Sequence, residues 1–430
     1  MTSEDALMSS EGRHIFRVYL VLSILQDCSQ VLASSFIIIY LLQFVSVFEL
    51  GIIIGITFLT VAIMDYPTGA LADLLGARIV MVIAYTGFVL SWALYLIVQT
   101  FLFFILIAVI WGFSIAQASG TGLAWFYNVY SSIGVTPRQL RKNYANIATI
   151  TKISTSLIIF IGGIVATLVS PLLTFLVGLG FSLITAIFSL VFLKDDSQKT
   201  IIETKNKFKT YISQLREGLT TTLSTPALIL IFLIASIASI SDIILDISLQ
   251  PDITRLGLEL NLSKNMMGFI LSSFYSGTIL IQAAGFYLSG KISQYSTERV
   301  MIGTSFVFSA VLFSLMSFSQ IPGINYALVV FLLVVTVHIF QFTLYHINVM
   351  SLLNSNIPNE HRTSIISLRS TIVNLIGAVG AVGIGFLREI LLTQTYLLGS
   401  VLVIIAIGFL FFVRKNSVLE SENPKMSSSE

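Results

Sequence analysis

Seven ionisable side chains stand inside long apolar runs: Asp27, Lys152, Asp242, Asp246, His338, His346 and Arg369. In hydrocarbon each costs about 3 kcal/mol at mid-bilayer, so a residue kept there has work to do. A carboxylate so placed can take a proton or a cation. A lysine or arginine can hold an anion or neutralise a carboxylate. Asp27 lies ten residues after Arg17, a rise of about 15 Å, near the middle of a membrane. Gln26 and Gln30 flank it. Lys152 lies ten residues past Lys142, at similar depth, and Arg369 seven past Arg362, about 10 Å in. Asp242 and Asp246 are one helical turn apart and share a face. His338 and His346 share a run with Gln341 and Tyr345, and an imidazole can exchange a proton near neutral pH.

Each of these groups has two readings. One is a buried ion pair that fixes helix packing: Asp27 with Lys152, and Asp242 with Arg369. The other is a proton or substrate contact, and the candidate set is Asp27, Gln30, Lys152, Asp242, His338 and Arg369. Asp246 reads as too close to the outer surface to contribute. The histidines read either as hydrogen-bonded packing residues or as proton carriers. They are eight residues apart with no third ligand nearby in sequence, so no metal site is expected. No GxxxxGK[ST] loop and no HExxH motif is present. ATP does not drive this chain directly, it is not expected to be an enzyme, and no cofactor is expected.

The elements that must position these groups follow from composition. The chain has 430 residues, 56% hydrophobic and only 10% charged. Soluble domains carry about 25% charged residues. Disorder is excluded by the hydrophobicity. The net charge of +2 argues against nucleic acid as a partner. The single cysteine, Cys28, excludes an intramolecular disulfide. A helix crosses the hydrocarbon core in about 20 mainly apolar residues. Twelve such segments are legible: 15–44, 49–71, 78–98, 101–128, 143–169, 172–193, 227–250, 265–289, 298–318, 325–352, 363–387 and 391–413. The runs are continuous, without the alternation of a membrane β-barrel. The fold class expected is an all-α membrane protein of twelve transmembrane helices.

Lys and Arg orient it. With twelve spans, eighteen of the 23 cations fall on the side of the termini and three (Arg255, Lys264, Arg388) on the other, while Lys152 and Arg369 lie within spans. Both termini are therefore expected in the cytoplasm, in the multi-pass topology of a plasma-membrane protein. The longest polar stretch divides the spans six and six. The expected parts are a tail 1–14, a six-helix bundle 15–193, a cytoplasmic linker 194–226, a second bundle 227–413 and a tail 414–430. In the linker, Phe208, Tyr211, Ile212, Leu215 and Leu219 recur at helical spacing among Lys205, Lys207, Lys209 and Arg216, the pattern of an amphipathic helix lying on the membrane surface. Trp125 and Tyr127 read as interfacial anchors and Trp111 as a possible cavity lining. Asn261-Leu-Ser263 is a sequon on the expected outer loop.

Between the second and third spans runs Asp65-Tyr-Pro67-Thr-Gly69-Ala-Leu-Ala-Asp73-Leu-Leu-Gly76-Ala-Arg78. Gly, three residues, Asp, two residues, Gly and a nearby basic residue resembles the loop signature of the major facilitator superfamily. Gly69 permits close helix packing, Gly76 a tight reversal, and Asp73 can face a helix N-terminus. Ser119-Gly-Thr-Gly122-Leu-Ala-Trp-Phe-Tyr127-Asn128 is similar to a segment of many prokaryotic members, with Leu123 and Asn128 where acidic residues usually stand. The second half keeps a trace of the loop signature, Gly285 to Lys291, with Ser289 in the acidic place.

The resemblance implies two six-helix halves, with Asp65, Gly69, Asp73, Gly76 and Arg78 as a conformational latch on the cytoplasmic side. It implies a secondary active transporter working by alternating access, normally a monomer, with a small-molecule substrate, protons and the lipid bilayer as partners. The nearest branch is that of prokaryotic drug-efflux-like permeases, which makes proton-coupled efflux the leading expectation. Ile158 and Ile159 stand where drug–proton antiporters usually carry Gly-Pro before Gly162-Gly163. Proton-coupled uptake of a small organic anion is the alternative, with Lys152 and Arg369 as its contacts. A transporter-like receptor or scaffold without turnover is the third.

Overall fold

The computed structural model describes residues 10–133, 137–193, 219–292, 296–318, 327–357 and 362–413; within these, the side chains of 66–74 and of a few helix-end residues lie outside the description. The expected amphipathic helix, apart from Leu219, and the tail 414–430 also lie outside it. Among the described residues all regular structure is helical. The elements are α1 (Ser10–Gln30), α2 (Ile37–Leu41), α3 (Val47–Leu75), α4 (Ala77–Ile97), α5 (Phe101–Ala118), α6 (Thr121–Ser132), α7 (Pro137–Leu168) and α8 (Pro171–Phe192). They continue with α9 (Pro226–Glu259), α10 (Lys264–Ile292), α11 (Glu298–Phe318), α12 (Ala327–Asn356), α13 (Arg362–Leu391) and α14 (Thr395–Phe412).

Ten stretches among the described residues are long and apolar enough to cross a membrane, and the last of them, Ile365–Phe412, comprises both α13 and α14. Large apolar side chains point outward as well as inward: Phe411 is 82% exposed and Val379 76%. A helix apolar on all sides suits a hydrocarbon surrounding.

Several expected helices are interrupted, each for a local reason. The run 15–44 is not one helix, because residues 31–36 form turns between α1 and α2. The run 101–128 breaks at Gly120, whose φ of 77° takes the left-handed region, and α6 begins at the next residue. Gly76, with φ 83°, makes the whole reversal between α3 and α4, so the latch segment up to Leu75 is helical rather than a loop. The seventh expected span, 227–250, runs on through Pro251 to Glu259.

Within the first half of the chain α4 packs on α8, α3 on α5, and α1 on α7 and α8. In the second half α11 packs on α12 and α14, and α9 on α13 and α14. The most extensive pairings between the halves are α3 with α13 and α7 with α10. Small residues let the backbones touch there. A Cβ added at Gly51 would stand 2.5 Å from the Ala381 carbonyl oxygen and 2.9 Å from the Gly385 Cα. Gly55 faces the Ala378 carbonyl in the same way. On α7, Gly163 faces Ser272 of α10, and the Ser156 hydroxyl donates to the Ser276 carbonyl at 3.0 Å.

Trp125 is an exception to the sequence reading. It is 6% exposed and packs in the core of the first half beside Phe126, rather than standing at an interface. Its neighbour Phe126 stacks on Tyr19 of α1 at 4.4 Å.

Candidate functional site

A cavity of about 530 Å³ lies where the two halves meet. From the first half α1 and the turn after it supply Asp27, Val31 and Ser34, and α7 supplies Lys152, Thr155 and Ile159. From the second half α9 supplies Asp242, Leu245, Asp246 and Leu249. The rest of the wall comes from α10, through Tyr275 and Gln282 among others, and from α12, through His338, Phe342 and His346. Polar residues at membrane depth are tolerated because they face this space rather than lipid.

Four of the six sequence candidates, Asp27, Lys152, Asp242 and His338, therefore share one cavity. Their pairing differs from expectation. Asp27 accepts a short hydrogen bond from the Thr155 hydroxyl, one turn along α7 from Lys152. Lys152 is close enough to attract Asp27 but forms no ion pair among the described residues. Asp242 is not paired with Arg369: it stands 3.8 Å from Nε2 of His346. His346 of α12 lines the cavity beside Asp242, whereas no residue of α13 lines it. Arg369 does not line the cavity, and its Nε is buried without a hydrogen-bond partner, beside Tyr345. Gln30 turns away as well. It lines a separate apolar space of about 280 Å³ within the first half, together with Trp92, Tyr95 and Trp111.

Asp246 corrects the sequence reading in the other direction. It lies on the cavity wall one turn above Asp242, its side chain accessible and without a hydrogen bond or ion pair among the described residues. The i, i+4 spacing with Asp242 was the signal that the two share a face, and it outweighs a depth counted from uncertain helix ends. His338 is 1% exposed, packed against Phe313 at 4.6 Å between ring centres, with Nδ1 3.5 Å from Gln341. The six-residue break in α1 adjoins the cavity through Ser34. Non-helical backbone at membrane depth belongs where protein or a cavity surrounds it.

Two polar clusters escaped the sequence reading. Gln250 of α9, 1% exposed, reaches into the break: its Oε1 accepts from the Ile38 and Ile39 N–H groups at 3.0 and 3.2 Å, and its Nε2 donates to the Ser34 carbonyl at 2.7 Å. The first N–H groups of a helix have no partner inside it, and α2 has no cap from its own N-cap residue, Phe36. Gln250 caps it from the other half of the chain. The second cluster is Asp252, Arg388 and Tyr396. Arg388 was read as an outer-loop cation; it is 6% exposed and donates to Asp252, which also accepts from the Tyr396 hydroxyl at 2.8 Å. An arginine buried this deeply is retained only with such partners.

Of the latch residues, Gly69 and Asp73 have side positions outside the description, while their backbone is helical. Asp65 accepts from Ser119 at 3.3 Å and from Ser370 of α13 at 3.1 Å, so it bridges the two halves. Arg78 is exposed at the start of α4. No cluster of three or more metal-binding side chains occurs among the described residues.

Comparison with known proteins adds the family. The sequence matches the description of the Major Facilitator Superfamily over residues 19–380, and again over 231–428. Among solved structures, the nucleoside transporter NupG superposes with a TM-score of 0.75 at 15% identity, covering 94% of this chain and 99% of that one. A bacterial homolog of the human lysosomal transporter Spinster, solved in an inward-facing and occupied conformation, gives a TM-score of 0.68 at 12% identity, covering 96% and 98%. At such identities the likeness is one of fold. No curated protein matches the sequence.

Proposed function

The chain belongs to the major facilitator superfamily and is a multi-pass membrane protein, and from that premise we propose that it is a secondary active transporter moving a small organic solute by alternating access. The observation that carries this reading is the polar cavity walled by both halves of the chain. Transporter sites of this kind sit between structural repeats near the midplane, beside interrupted helices. The break between α1 and α2 at Ser34 fits that pattern.

In the topology proposed, α1 with α2 counts as one span and Ile365–Phe412 as two, giving twelve. The bundles are 15–193 and 227–413, joined by the linker 194–226, with both termini in the cytoplasm. The contacts of Gly51 with Ala381, of Gly163 with Ser272 and of Gln250 with the α1 break then lie on the outer side. Lys152 and Gln282 lie inward of them on the cavity wall. This is an arrangement closed to the outside. Asp65, which already bonds Ser370 of the other half here, belongs with Gly69, Asp73, Gly76 and Arg78 to the cytoplasmic latch, which tightens fully in the opposite state.

Asp27 is the proton site. The Thr155 hydroxyl orients it, and Lys152 lines the same cavity one turn along α7. The direction proposed is efflux in exchange for protons. Three carboxylates against one lysine favour a solute bearing a positive group. The anion-uptake alternative loses one of its two contacts, because Arg369 stands off the cavity. The working unit is a monomer, without a cofactor and without enzymatic activity.

Purified protein in liposomes holding a pH-sensitive dye tests this. Proton efflux from acid-loaded liposomes, on adding a lipophilic cation outside, is the expected result. Proton entry together with an organic anion would reverse the direction and the substrate charge. No flux with either panel, while ligand binding persists, would refute transport itself.

A further inference from the structure

Two charged groups that line the cavity from different halves form no ion pair of their own among the described residues. On α7, Lys152 lines the space and forms no ion pair among the described residues. On α9, Asp246 lines the same space and makes neither a hydrogen bond nor an ion pair among them. The other charges on the wall are spoken for. Asp27 holds the Thr155 hydroxyl, and Asp242 faces His346. A charge of each sign, each facing this cavity at membrane depth, is a ready contact for a solute group of opposite sign. The two do not complete each other: they line the same cavity from different halves without forming an ion pair.

Beside polar groups such as Thr278 and Gln282, the wall also carries apolar and aromatic surface: Leu245, Ile279, Phe286, Phe342 and the ring of Tyr275. A solute that satisfies all three features carries an ammonium, a carboxylate and an apolar body between or beside them. We propose that the cavity binds a zwitterion of about the size of an aromatic amino acid, its carboxylate on Lys152 and its ammonium on Asp246. The proposal rests on the cavity being the transport site and names its substrate class. A solute neutral overall adds no net charge to a low-dielectric passage, whereas a simple cation would leave Lys152 unpaired and repelling it. Because Lys152 belongs to the first half and Asp246 to the second, such a solute bridges the halves with one charge on each. Asp27 remains free to carry the proton.

The test is binding to the purified full-length protein, read as thermal stabilisation in detergent and followed by titration. Four probes separate the charges: L-phenylalanine and 4-(2-aminoethyl)benzoate as zwitterions with near and distant charges, phenethylamine as the cation and 3-phenylpropionate as the anion. At least one zwitterion should bind about tenfold or more tightly than both singly charged probes, as expected for losing one charge-assisted contact. Lys152→Gln should abolish the advantage over phenethylamine and leave that over 3-phenylpropionate. Asp246→Asn should do the reverse. The wild-type ranking decides the matter even if a variant fails to fold. Phenethylamine binding as tightly as the zwitterions would overturn the proposal and leave the cation transporter standing. An equal or tighter 3-phenylpropionate would overturn it in favour of an anion site. Absence of stabilisation by both zwitterions would also overturn it. A ranking as expected, without proton-coupled flux in liposomes, would sink the transport reading and spare the binding site.

Discussion

Gln250→Met removes the clasp on the broken first helix while nearly preserving side-chain shape. The loss can be worked from the bonds. Two N–H groups, of Ile38 and Ile39, and one carbonyl, of Ser34, lose their partner together. A neutral hydrogen bond contributes about 1 kcal/mol net, so the closed junction loses about 3 kcal/mol. In a conformer with the junction open, water reaches those groups and the loss does not apply. The ratio of closed to open molecules then falls by about 150-fold. The readout is the alkylation rate of Ser35→Cys, in a background with the sole native cysteine replaced, Cys28→Ser. Ser35 is 1% exposed and faces Gly163 at the junction. Maleimide labelling in detergent should accelerate from slow to at least tens-fold faster when Gln250→Met is added. An unchanged rate in protein that remains monodisperse would refute the reasoning, since it would mean the clasp does not bias the junction. A lower melting temperature at an unchanged labelling rate would assign Gln250 to packing alone.

The remaining predictions concern other contacts. Gly51→Val forces α3 and α13 apart, because a Cβ there meets the Ala381 carbonyl at 2.5 Å; it should lower the melting temperature by several degrees, whereas Gly383→Ala, which meets nothing within 4 Å, should leave it unchanged or raise it slightly. Asp252→Asn strands the buried Arg388 and should cost about 3–5 kcal/mol, and the double change with Arg388→Met should recover most of it in thermal unfolding; no recovery would show that Asp252 acts through another partner. Asp27→Asn, expressed at the wild-type level, should lose proton-coupled transport by at least tenfold while keeping ligand binding; wild-type coupling would remove Asp27 from the proton path. Asp73→Asn should slow turnover without changing equilibrium binding, and unimpaired transport would sink the latch assignment.

Much of this protein was legible without coordinates because a bilayer simplifies the reading. Hydrocarbon forces the backbone into helices, so continuous apolar runs are enough to establish an all-helical membrane protein and to place most of its helices within a few residues. Gly76 was legible as a tight reversal, since glycine takes that backbone conformation at little cost, whereas the turn at Gly120 went unread inside the expected run 101–128. The cavity charges Asp27, Lys152 and Asp242 were also available from the chain, as was the face shared by Asp242 and Asp246, but the buried Asp252–Arg388 pair was not. What the chain by itself left open was partnership. Each residue turns 100° around a helix axis, so an error of one or two residues in helix rotation exchanges a cavity wall for a packed core. That is why Asp242 meets His346 rather than Arg369, and why Gln30 looks into a different space from Asp27. It is also why Arg388, apparently an outer-loop cation, is buried against Asp252 and Tyr396. The break after Gln30 is tertiary in the strictest sense: its free N–H groups are satisfied by Gln250, more than two hundred residues away, and no local signal could announce a partner that only folding brings near.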